Sequence, residues 1–434
     1  MRFKHYITFS FLLLPALYVK AQQTYPLSLH ELFDRGTENS LRIKASHIQE
    51  IAAGEKEQHA RNFRLPEIKL SATTGYVGQP TVFRSGLAHP THPDVPDWSH
   101  NYNVELTQPI YKGGKIEHSI RKASLEKQIA RLSTANDIAD IKLLLLQQYI
   151  DLFTLYKQQE VLARNIEESK VRLKDIRKMR KEGLLTRNDE IRSELELTND
   201  ELALREAKDN TYIVSQQLDV ILGLDEELLL LPDTALLHQP VALQNCDAYI
   251  EQAYQEYPEI KLARYQTRLA VADARLTKAD YLPTLSLHAG NVLSRPLSST
   301  LEDRFSNNWN VALSLSYNLS SIYHNNHKMR EVQQYINLQK NAEEQMMQDI
   351  RVKVRSAYIR HNEALDRVKA LQLSVKQAEE NYRIVHNRYL NQLSILTDLL
   401  DASNIRLQEE LQLTTARANV IYTYYELQRM CGNL

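Results

Sequence analysis

The chain has 434 residues, with 53 Lys and Arg against 54 Asp and Glu, a formal charge of −1 at neutral pH. That balance offers no basic field for nucleic acid or another polyanion. Its two cysteines, Cys246 and Cys431, are too few for a disulfide framework and read as free thiols or a single staple.

The first residues carry Arg2, Lys4 and His5, then an apolar run from Tyr6 to Val19, then Val19-Lys20-Ala21 before Gln22. This pattern predicts a secretory signal peptide over residues 1–21, cut after Ala21, with no cysteine near the cut to carry a lipid. The later apolar runs fall short of the roughly 20 residues that a membrane-spanning helix needs. The densest, Leu143 to Leu146, is ended by Gln147 and Gln148.

After a first helix, Leu65-Pro66 opens a strand predicted over 67–78. There Ile68, Leu70, Ala72 and Tyr76 alternate with Lys69, Ser71, Thr73 and Gly75. A polar loop, 79–100, leads to a second strand at about 101–112, with Tyr102, Val104, Leu106 and Ile110 opposite Asn101, Asn103, Glu105 and Thr107. A strand with one apolar and one polar face is half-buried in a globular protein, or divides lipid from water in a barrel.

From Lys115 to Glu182 there is neither Gly nor Pro. A helix of that length reaches about 100 Å at the usual rise per residue. Ile138, Ile141, Leu145, Leu152, Leu155, Leu162, Ile166, Leu173 and Ile176 keep spacings of three, four or seven, the mark of a coiled-coil seam. A hairpin tip at about 183–189, Gly183-Leu-Leu-Thr-Arg-Asn-Asp189, turns the chain into another helix. Gly223, Pro232 and Pro240 then mark a link over 223–246.

The pattern now repeats. A helix ends at Leu282-Pro283, which opens a strand over 284–294 with Leu285, Leu287, Ala289 and Leu293 facing away from Ser286, His288 and Gly290. After a loop, 295–307, residues 308–319 place Trp309, Val311, Leu313, Leu315, Tyr317 and Leu319 opposite Asn308, Asn310, Ala312, Ser314, Ser316 and Asn318. No Gly or Pro occurs from Leu297 to Cys431. A seam through Ile350, Val354, Ala357, His361, Ala364 and Tyr389 runs to a second tip at about 390–398. The chain therefore reads as two repeats, 22–222 and 247–434, each a helix, two strands, a long helix, a tip and a closing helix.

Four alternating strands cannot close a barrel around a lumen, and open edges are not tolerated in hydrocarbon. Several chains must share one barrel; three would supply 12 strands, within the range of outer-membrane barrels. The expected lipid-facing set is Ile68, Leu70, Val104, Leu106, Leu285, Leu287, Trp309, Val311, Leu313 and Leu315. The expected fold is an internally duplicated α+β membrane protein whose helices continue a shared barrel as a hollow bundle.

With this order of elements, the junction Gln108-Pro-Ile-Tyr-Lys-Gly-Gly-Lys115 and the two tips, the chain resembles the TolC family of outer-membrane efflux proteins. The resemblance covers essentially the whole mature chain. It implies a homotrimeric duct in the outer membrane, a 12-stranded β-barrel continued by a periplasmic α-helical tunnel that closes at its far end. It further implies a periplasmic adaptor and an inner-membrane pump as partners, and neither cofactor, metal nor catalysis in the duct.

Asp398 and Asp401 match the aspartates of the family's closed aperture. Three residues apart on a helix, they share a face, so three chains would stack two carboxylate rings. The alternative is helix-start chemistry, with Thr397 as N-cap and both aspartates in the first turn. Asp189 and Tyr389 match a pair that latches neighbouring hairpins in the family. Their ordinary roles would be a capping-box acid behind Thr186 and a seam aromatic. The arginine that completes the family's latch is Ser394 here, with Arg187 or Arg388 as possible substitutes.

Gly113-Gly114-Lys115 lacks the spacing of a phosphate loop and reads as a strand-to-helix turn. His89, His92 and His100 are irregularly spaced and read as a solvated loop rather than metal ligands, and His361 reads as a core residue. No nucleophile or zinc-enzyme motif supports an enzyme. The rival reading is a periplasmic coiled-coil scaffold or adhesin without a pore, for which the face Trp309–Tyr317 would be an aggregation liability.

Overall fold

A computed structural model describes residues 23–233, 243–296 and 302–434. The expected signal peptide lies outside them, as does part of the expected link 223–246. In chain order the elements are β1 (Thr24–Leu27), α1 (Leu29–Asn39), α2 (Leu41–Asn62), β2 (Glu67–Tyr76), β3 (Val82–Ser85), β4 (Ala88–Thr91) and β5 (Trp98–Lys112). Then come α3 (Lys115–Lys181), α4 (Arg187–Leu222), β6 (Leu229–Pro232), α5 (Cys246–Glu256) and α6 (Pro258–Ala279). The last are β7 (Thr284–Arg295), β8 (Ser306–Ser316), α7 (Ser321–Leu390) and α8 (Leu396–Met430). Two compact units divide this chain.

The unit formed by Leu41–Asp140, Leu243–Tyr358 and Leu427–Leu434 holds the main sheet. Its order is β2-β5-β7-β8, antiparallel throughout, so β2 and β8 are open edges. The register aligns the two alternating patterns across all four strands. Leu70 pairs with Val104, Leu106 with Ala289, Leu287 with Leu313, and Leu285 with Leu315. The expected lipid-facing residues thus share one face, and Lys69, Glu105, Gly290 and Asn310 share the other.

That apolar face has no cover among the described residues: Leu70 is 76% exposed, Trp309 75% and Leu315 70%. A core face would be almost wholly buried.

Three details differ from the sequence reading. Ile110 falls in a register shift between Pro109 and Tyr111, because an inserted residue breaks the period of two. β8 stops at Ser316, so Tyr317 and Leu319 belong to the turn before α7. The loop 79–100 is not featureless, since β3 and β4 pair within it. At the predicted strand-to-helix turn, Gly113 and Gly114 have φ of 61° and 78°. A Cβ on Gly113 would meet the Ala279 carbonyl oxygen at 2.7 Å, so the turn needs glycine for space as well as conformation.

Small residues let the helices of this unit approach closely. Ala60 packs on Ile120 and Ala123, and Ala270 and Ala274 on Ile336. α5 and the chain's end are buried together around Tyr249, Tyr257, Ile350 and Leu427.

The other unit comprises residues up to Ser40, Ile141–Ala242 and Ile359–Glu426. A short parallel pair, β1 with β6, is tied to α3 by Tyr149, whose hydroxyl donates to the Leu27 carbonyl at 2.8 Å. Gly36 lies against Leu145, leaving no room for a side chain. His361 is buried with its Nδ1 3.0 Å from Thr423 Oγ1. No helix among the described residues is long and apolar enough to cross a membrane.

Candidate functional site: the two hairpin tips

Both tips leave their helix through the same backbone bonds. In the first, Gly183 N donates to Arg180 O at 3.0 Å and Leu184 N to Met179 O at 2.9 Å. In the second, Gln392 N donates to Tyr389 O at 2.9 Å and Leu393 N to Arg388 O at 2.8 Å. This is a Schellman ending, which requires a left-handed residue. Gly183 supplies it at φ 77°, and Gln392 at φ 59°.

The first tip then starts α4 with a complete capping box. Asp189 N donates to Thr186 Oγ1 at 3.2 Å, while Thr186 N donates back to Asp189 Oδ2 at 2.9 Å. One residue on, Glu190 is buried among Arg177, Arg180 and Arg187, with Arg187 at 2.7 Å. The hydrogen bond from Arg187 holds its carboxyl below the ordinary carboxylate value against the cost of burial.

The second tip has no such box. α8 starts at Leu396, two residues earlier than a Thr397 cap requires. Thr397 instead accepts from Arg192 of α4 at 2.8 Å. Ser394, at the position of the family's arginine, donates to Asp398 Oδ2 at 2.7 Å. Asp398 and Asp401 are both exposed, whereas Leu396, Leu399 and Ala402 on the opposite face are buried. The two carboxylates therefore project from an anchored helix start.

Tyr389 is 7% exposed and packs with Ile176, Leu396 and Leu399. Its hydroxyl has no hydrogen-bond partner among the described residues. Burial pushes its pKa up, Asp189 adds to the effect, and Arg172 opposes it. No hydrogen bond joins Asp189 to Tyr389 among the described residues, and the Asp189 carboxylate already serves the cap. Neither expected substitute arginine reaches the tyrosine: Arg187 pairs with Glu190 and Glu194, and Arg388 donates to the Leu393 carbonyl.

Behind the tips lies a polar network that the seam pattern hides. Asn165 and Ser169 of α3 donate to the buried Asp200 of α4, at 2.8 and 3.0 Å. Arg172 donates to Ser169 at 2.8 Å and to Ser403 of α8 at 3.1 Å. Further along, Arg164 pairs with Glu410, and Arg406 with Glu168. These groups join three helices through one buried arginine. The signal available in the sequence was the spacing of Asn165, Ser169 and Arg172, which follows the stripe of Leu162, Ile166 and Leu173.

The family described as outer membrane efflux protein matches residues 249–433. No curated protein matches the chain by sequence. Its fold is shared with VceC from Vibrio cholerae, at TM-score 0.78 and 15% identity over 93% of this chain and 96% of that one. A membrane protein from Pseudomonas aeruginosa matches at TM-score 0.79 and 17% identity, over 93% and 90%. The open state of the Neisseria gonorrhoeae MtrE outer membrane channel matches at TM-score 0.67 and 17%, over 94% and 89%. The outer membrane efflux protein model thus covers residues 249–433, and over nearly its whole length the chain shares the fold of these membrane proteins.

Proposed function

We propose that the chain is one third of a trimeric exit duct, passing substrate from an inner-membrane pump and a periplasmic adaptor to the exterior. The main sheet carries this reading. It has one exposed apolar face, one polar face and two unpaired edges, β2 and β8. In hydrocarbon those edges need partners, and β8 of one chain beside β2 of the next satisfies both with copies of the same surface. Ile68, Leu70, Val104, Leu106, Leu285, Leu287, Trp309, Val311, Leu313 and Leu315 then face lipid, while the polar face lines the lumen. Tyr76 and Trp98, edge-to-face at 6.0 Å, suit an interfacial girdle.

At the second hairpin tip, Asp398 and Asp401 form the aperture. Three chains bring six carboxylates into two rings, which attract cations and repel one another. Tyr389 and Asp189 serve as the latch only if the aspartate leaves Thr186 or shares it. The duct itself performs no chemistry and needs no cofactor or metal.

Extraction of outer membranes in mild detergent, followed by native mass measurement and planar-bilayer recording, tests this reading. A trimer with discrete conductance is expected. A monomer that leaves the membrane without detergent and conducts nothing would overturn it.

A further inference from the structure

The mature chain carries two cysteines, 185 positions apart in sequence, and the fold brings both to one apolar cluster. Cys246 is the first residue of α5 and is half-exposed. Cys431 follows the last residue of α8 and is completely buried. Its Sγ lies 3.7 Å from the carbonyl oxygen of Tyr249, one turn along α5 from Cys246.

The end of the chain is pressed along α5 by several independent contacts. A Cβ on Gly432 would meet the Glu256 carbonyl carbon at 2.8 Å, and Gln252 donates to Asn433 Oδ1 at 2.8 Å. Leu427 and Cys431 share the cluster with Tyr249, Ile250, Ala253 and Tyr257, and Cys246 packs against it. Burial, with Cys246 beside it, pushes the Cys431 thiol up to about 12. A lone thiol held this way is inert, but a neighbouring sulfur changes what it can do.

We propose that Cys246 and Cys431 are a redox pair that closes into an intrachain disulfide, fastening the end of α8 to the start of α5. The structure records the dithiol form. The proposal uses the placement of the chain in the cell envelope, an oxidising compartment in which such bonds persist. Cys246 is the entry point: its thiolate attacks the disulfide of an envelope protein-disulfide donor and releases one donor thiol. Cys431 then loses its proton and attacks Cys246 Sγ, expelling the second donor sulfur. Two thiols lose two protons and two electrons, and the donor disulfide becomes a dithiol. The Cys431 side chain must swing past the Tyr249 carbonyl, a movement available to a helix end that is followed by a left-handed glycine at φ 82°.

The bond closes almost the whole second repeat into one loop, restricting the unfolded chain somewhat more than a short staple would. It also lies well away in sequence from the tips, so it can hold α5 without locking the aperture.

Intact-mass analysis after thiol trapping tests the pair. Outer membranes are denatured in excess maleimide with no reductant, and again after reduction. The expected result is no maleimide on the unreduced chain and two on the reduced one. Cys246→Ser is expected to take one maleimide without reduction, which assigns the bond to this pair. Two maleimides on the unreduced wild-type chain would overturn the proposal. Oxidised trimer should also melt several degrees above reduced trimer; identical melting would overturn the fastening role.

Discussion

The two hairpin tips have the same backbone and opposite chemistry. At the first, a glycine takes the left-handed position, a capping box starts α4, and three arginines surround Glu190. At the second, Gln392 takes that position, no capping box is present, and Asp398 and Asp401 remain exposed. One tip is built from standard stabilising parts. The other retains backbone strain and displays free charge, the pattern expected where a structure is held for function rather than stability. The two tips thus share a turn and differ in how their charges are held.

A related contrast runs along α4 itself. Glu190, near the tip, lies among arginines; Asp219, near the other end, is fully buried and neither carboxylate oxygen has a hydrogen-bond partner among the described residues. Burial pushes Asp219 up to about 6, with Asp225 and Glu226 adding to the effect. A raised carboxyl favours folding while it is protonated, below the unfolded value near 4. That contribution is lost as pH rises from about 4 to 6, and above this range the buried charge is a cost.

Asp219→Asn should therefore stabilise the protein at pH 7.5 by about 1–2 kcal/mol and leave it nearly unchanged at pH 4. Denaturant unfolding in detergent at the two pH values reads this directly. An equal effect at both would remove the pH argument and leave only a change of packing.

A smaller effect tests the tips against each other. Nothing lies within 4 Å of a Cβ on Gly183, so Gly183→Ala costs only backbone strain, about 1 kcal/mol. Gln392→Gly relieves the same strain but frees the unfolded chain, for a net gain of about 0.5 kcal/mol. Hydrogen exchange at the Leu184 and Leu393 amides follows each turn. If Gln392→Gly destabilises its turn, the second tip is not strained and the comparison fails.

Much of this was legible in the sequence, and the reasons are physical. Trp309 to Leu315 announce β8 because a sheet with one apolar and one polar face must alternate strictly. Thr186 and Asp189 announce a cap because the capping box is local. Tyr389 reads as a seam residue because helix packing repeats every three and four positions. What was hidden depends on distant partners or single-residue geometry. The bulge at Ile110 changes one residue in fifteen, and β1 and β6 are four residues each, too short to show a period. Arg172 interrupts the apolar seam, so its partners in α4 and α8 cannot be inferred before the helices are placed. Likewise, Ser394 meets Asp398 only because the left-handed Gln392 sets where α8 begins.

The central claim is that the strained tip is the acidic gate of a duct. Reversal potentials and single-channel conductance of wild-type trimer and Asp398→Ala/Asp401→Ala, recorded across a salt gradient, test it most directly. The account predicts a small cation-selective conductance that grows and loses selectivity in the double variant. Unchanged conductance and unchanged selectivity would contradict it, placing the gate away from these two carboxylates.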